Sequence, residues 1–128
     1  MPERSRALVY ACSGCSNVAQ LANTVAVRLD RSGLAEMSCI AGVGGNVTPL
    51  VRKAASGIPI LALDGCPLHC VRNCLAQHGI EAGVHVTLSE RGLRKRNGES
   101  CSPDDADALF DELSALLGED PRLQTTQA

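Results

Sequence analysis

Four short apolar runs rich in strand-forming residues, at positions 7–12, 36–41, 58–63 and 84–88, are separated by stretches whose apolar residues recur at helical spacing. Strands that alternate with helices pair in parallel, because each crossover must return the chain to the same end of the sheet. The sequence therefore predicts an α/β fold, a small three-layer sandwich of Rossmann-like character around a mostly parallel four-stranded sheet. In the last run Val84, Val86 and Leu88 alternate with His85 and Thr87, the pattern of a half-exposed edge strand. Pro59 opens its run, where a missing N–H is tolerated.

The helices carry their own punctuation. Val18, Leu21, Ala22, Val25, Ala26 and Leu29 form one apolar face, with Asn17 as the expected cap, Gln20 three residues on, and Gly33 as the stop. Thr48 and Pro49 open a second helix ending near Gly57, and Pro67 opens a third that reaches His78 and Gly79. Ser102, Pro103 and Asp105 start the last, which buries Leu109, Phe110, Leu113, Leu116 and Leu117 and closes at Gly118. One domain is expected over residues 1–118, followed by a polar tail, 119–128, without fixed structure.

Composition narrows the function classes. A net charge of −2, with Tyr10 and Phe110 as the only aromatics, supplies neither a basic footprint nor a stacking platform for nucleic acid. No apolar run approaches the roughly 20 residues of a membrane span, and the polar start does not resemble a signal-peptide core. A cytoplasmic protein is expected, with no membrane or nucleic-acid partner. Seven cysteines in a reducing compartment have no lasting disulfide role, which points to metal binding or thiol chemistry.

Ligands of open parallel sheets bind beyond the carboxyl ends of the strands, and the thiols fall there. Cys12 and Cys15 follow the first run, Cys39 ends the second, and Cys66 and Cys70 follow the third. Right-handed crossovers would set the second and third strands on either side of the first and gather these five at one rim. Cys66, Cys70 and Cys74 make a helical stripe distinct from that of Leu68, Val71 and Leu75, so they are not simply core filling. Helix N-termini nearby would stabilise thiolates and lower their pKa values. A Cys-x2-Cys pair with a Cys-x3-Cys pair suits a soft tetrahedral ion such as zinc, at zinc–sulfur distances of about 2.3 Å. Cys12, Cys15, Cys66 and Cys70 are the first candidates, and Cys39 and Cys74 the second.

Other residues carry plainer readings. His69 is expected beside the site or facing solvent, His78 and His85 on the surface, and Asp64 as a loop-orienting acceptor rather than a proton carrier. Gly42, Gly44 and Gly45 read as a flexible connection, with a donor-lined loop as the alternative. Ser13, Ser16 and Asn17 suit turns and caps, because no Ser-His-acid arrangement is evident. Arg91, Arg94, Lys95 and Arg96 form a basic patch, and Cys101 lies in a separate loop.

Three ordered motifs, Tyr10-Ala11-Cys12-Ser13-Gly14-Cys15-Ser16-Asn17, Cys39-Ile40-Ala41-Gly42-Val43-Gly44-Gly45 and Asp64-Gly65-Cys66-Pro67-Leu68-His69-Cys70, resemble the DGC-domain family of small bacterial proteins, from about Leu8 to Lys95. The resemblance implies a four-cysteine, zinc-binding site, carried here onto Cys12, Cys15, Cys66 and Cys70. The leading expectation is a small cytosolic zinc protein acting in metal sensing, trafficking or thiol chemistry. The alternatives are an iron–sulfur protein and a thiol redox or sulfur-transfer enzyme built on the same cysteines.

Overall fold

The computed structural model describes residues 6–125. Strands β1 (Leu8–Ala11), β2 (Glu36–Met37), β3 (Ile60–Asp64) and β4 (Val84–Thr87) form one sheet in the order β2-β1-β3-β4, and every pairing is parallel. Leu8 lies opposite Glu36 on one side and Ile60 on the other, which makes β1 the interior strand of the first crossover. Each residue of β1 and β3 is buried. Strands covered on both faces read as unbroken apolar runs, which is why LVYA and ILALD show no alternation. The edge strand β4 keeps His85 half-buried, as its alternating pattern predicts, whereas Thr87 on the same face is buried.

Helix α1 (Asn17–Arg31) packs on β1, β2 and β3 and against α5 (Pro103–Glu119), forming one outer layer. Helix α2 (Ile40–Gly44) contacts both α3 (Thr48–Ala54) and α4 (Cys70–Ala76), and α4 packs on β3. The buried face of α1 is Val18, Ala19, Leu21, Ala22, Val25, Ala26 and Leu29, in the predicted register. Its cap is Ser16, whose Oγ accepts from Ala19 N–H at 3.1 Å, and not Asn17, whose side chain is engaged elsewhere. Arg28 near the end of α1 meets Asp107 of α5 at 2.8 Å and lies 4.5 Å from the Phe110 ring centroid, joining the two helices at their surface.

Three expectations change. The second run does not continue as a strand to residue 41, because Cys39 turns the chain into α2. Gly42 and Gly44 are therefore helical rather than a loop, with Gly45 as the C-cap: a Cβ on Gly42 would collide with Leu50, and one on Gly44 would sit 2.9 Å from Cys74 Sγ. Close packing of α2 on its neighbours requires them. The third helix begins at Cys70 and not at Pro67, since His69 takes a left-handed φ of 52° that breaks the helical path before it. Past Glu119, Pro121–Leu123 forms a 3-10 turn in which Leu123 is buried, so the predicted structureless tail packs back on the core as far as described. Residues 126–128 of that tail lie outside the described residues.

Candidate functional site

Because β1 and β3 are adjacent and parallel, the loops that leave their carboxyl ends run side by side. Cys12 N–H donates to Leu63 O at 3.1 Å, extending the ladder one step beyond β1. Gly65 N–H then donates to Cys12 Sγ at 3.2 Å. Gly65 has no room for a side chain, since a Cβ would lie 2.8 Å from the Val18 carbonyl carbon where α1 begins. The glycine of the Asp-Gly-Cys motif thus lets the two thiol loops close on each other.

Cys12, Cys15, Cys66 and Cys70 line one cavity of about 180 Å³ together with Lys95 and Asn97. Cys12 is buried, Cys66 half-buried, and Cys15 and Cys70 exposed. Lys95 Nζ lies 3.6 Å from Cys66 Sγ and brings a positive charge to the rim. Among the described residues no three histidine, cysteine, aspartate or glutamate side chains are gathered closely enough to hold one ion. Four thiols, two from each of two neighbouring loops, line that cavity without converging on one point, and their chemistry is that of ligands for a soft cation. Burial raises the Cys12 thiol pKa, with the Gly65 N–H opposing, so at this thiol desolvation outweighs the lowering expected from helix N-termini. Cys74 is raised by burial as well.

The second-rank thiols lie apart from that cavity. Cys39 caps α2 without a side-chain hydrogen bond and lines a separate recess with Met37 and Arg31. Cys74 packs against Gly44. Cys101 is half-buried, its Sγ 4.0 Å from Thr24 Oγ1.

Residues 94–98 cross the first thiol loop as a strap, a feature not anticipated from the sequence. Asn17 N–H donates to Arg96 O at 3.1 Å, Arg96 N–H to Asn17 Oδ1 at 2.6 Å, Asn17 Nδ2 to Arg94 O at 2.9 Å, and Gly98 N–H to Cys15 O at 3.0 Å. Ser16 and Asn97 form the bridge that this pattern defines. The strap places Lys95 at the cavity. Arg91 of the same basic patch instead pairs with Glu112 of α5.

Beneath the rim, Asp64 is 1% exposed and accepts from Val71 N–H at 2.8 Å, Arg72 N–H at 3.2 Å and His85 Nε2 at 2.8 Å. It is an acceptor of backbone N–H groups, as expected, but those groups belong to the first turn of α4 and not to the loop. His85 is not a free surface residue, because this carboxylate holds it. His78 is likewise tied, its Nε2 2.8 Å from Val43 O. His69 Nε2 lies 3.0 Å from Thr87 Oγ1, and its ring meets that of His85 edge-on at 5.0 Å. No period or spacing in the sequence pairs residues 64 and 85. Only the parallel register of β3 and β4 does, setting Asp64 opposite Thr87, two residues beyond His85.

Fold and rim together define a small parallel α/β protein that presents paired thiols where two adjacent strands end. The DGC domain matches residues 8–113, and the chain belongs to the DGC-domain family. It is 67% identical over 116 residues, 91% of this chain and 88% of the relative, to the "Anaerobic and virulence modulator AnvM" of Pseudomonas aeruginosa. No solved structure matches it. No helix among the described residues is long and apolar enough to cross a membrane.

Proposed function

We propose that this protein is a metal-binding regulatory module of the cytosol, in which Cys12, Cys15, Cys66 and Cys70 hold a zinc ion as a four-thiolate set. The observation that carries this reading is that these four thiols, and neither Cys39 nor Cys74, line one cavity. A closed thiolate set leaves zinc no open position for substrate, so its contribution would be to tie the β1 loop to the β3 loop. Lys95 would offset part of the thiolate charge, and Gly65 N–H would hold Cys12 in place. Cys12 must give up its proton to a metal, so uptake should weaken with falling pH. The relative's printed name, a modulator, favours a regulatory over a catalytic use.

That name also begins with "anaerobic", which supports an iron–sulfur cluster on the same thiols as the second reading. One experiment separates the two: metal content and the visible spectrum of protein purified without oxygen, for wild type and the single Cys→Ser variants. About one zinc per chain without visible absorption is expected, lost largely in Cys12→Ser and Cys66→Ser and retained in Cys39→Ser, Cys74→Ser and Cys101→Ser. Iron with visible absorption selects the second reading. Metal loss confined to Cys39→Ser and Cys74→Ser would sink the ligand set.

A further inference from the structure

A second cavity, of about 340 Å³, opens between α4 and the edge strand β4, lined by Arg72, Leu75, Ile80, Glu81, Ala82 and His85 among others. None of the four rim thiols reaches it. Its size lies at the small end for ligand pockets, which limits an occupant to a few heavy atoms beyond its polar end. The polar groups in its wall are of three kinds. Arg72 is a cation whose guanidinium makes no ion pair among the described residues, and Glu81 is an anion likewise unpaired. His85 is fixed through Nε2 by the buried Asp64, which is itself locked by two backbone N–H groups. In the neutral ring, a carboxylate accepting from Nε2–H leaves Nδ1 as the acceptor.

From these groups we infer that the cavity binds a small aliphatic α-amino acid. Arg72 would take the carboxylate as a two-pronged donor, His85 Nδ1 and Glu81 would accept from the ammonium, and Leu75, Ile80 and Ala82 would cover the aliphatic side chain. Other ligand classes match less of the wall. A phosphate would bring its charge against Glu81 and leave the apolar side empty. A simple fatty acid would leave both acceptors facing no donor, a loss comparable to an unmade charge-assisted hydrogen bond.

The test is calorimetric titration of the full chain with L-leucine, isovalerate and inorganic phosphate. Isovalerate has a branched chain and a carboxylate but no ammonium. Leucine should bind at least about tenfold tighter than either. Arg72→Met and Glu81→Gln each alter an exposed side chain, and each should weaken leucine by about tenfold or more with an unchanged circular dichroism spectrum. No heat with leucine at roughly 10 mM, a scale far weaker than useful recognition, would overturn the inference. So would equal binding of isovalerate or phosphate, or unchanged leucine affinity in both variants. The same titration on Cys66→Ser should match wild type, so the outcome does not depend on the metal reading.

Discussion

Tyr10 is the one tyrosine in the chain, and it is wholly buried with its hydroxyl sealed from solvent and lacking a well-formed hydrogen bond. Burial raises its pKa above the ordinary value of 10.0. The folded chain therefore keeps the phenol proton where the unfolded chain has released it. Below about pH 10 the phenol's contribution is intact, and stability then falls as pH rises toward the folded-state pKa. Tyr10→Phe removes a buried hydroxyl that has only a poor hydrogen bond with Ser38, so it should leave stability near pH 7 unchanged or higher by up to about 1 kcal/mol. It should also flatten the loss above about pH 10, and urea unfolding across that range measures both effects. An equally steep decline in the variant would assign the alkaline sensitivity to other groups. Asp64, Gly65 and Cys66 illustrate a different economy at this scale. Three consecutive residues supply the cap of α4, the close approach of two loops and a thiol of the rim.

At the level of elements, the strap over residues 15–17 is held by one side chain in addition to its backbone hydrogen bonds. Asn17 both accepts from Arg96 N–H and donates to Arg94 O. Asn17→Ala should therefore loosen residues 94–98 at a cost of about 1–2 kcal/mol, read as faster exchange of the Gly98 amide, while the buried face of α1 keeps its protection. Protection of Gly98 equal to wild type would mean that the backbone bridge alone holds the strap. The sheet, its strand order and the face of α1 were legible because each follows from a local period plus the handedness of crossovers. Helix α2 was not, since Ile40 and Val43 sit among glycines whose role is close packing and not propensity. Topology gathered Cys12, Cys15, Cys39, Cys66 and Cys70 at one rim, but only the first two and last two share a cavity, because Cys39 turns the chain into α2 and lines a separate recess. Lys95 could not be assigned to the rim, because the contacts that bring it there join residues nearly eighty positions apart through hydrogen bonds that leave no sequence pattern.

Taken whole, the molecule has a continuous apolar core running from β1 through α1, β3, β4 and α5, and the rim sits at its margin. Any metal at the rim would thus add to a fold that already stands. Chelation should leave the far-ultraviolet circular dichroism and cooperative unfolding in place while lowering the midpoint by several degrees, in contrast to a zinc finger. Collapse of the spectrum on chelation would show that the core is insufficient alone. The strand order has a further consequence, for biosynthesis. β1 is made first but borders only strands made later, and its longest ladder is with β3, about fifty residues downstream. A nascent chain must carry its first thiol pair unpartnered until that ladder closes, when the second pair arrives beside it. Occupancy of all four thiols by one ion would then report that synthesis has passed β3 and that the centre of the sheet has formed.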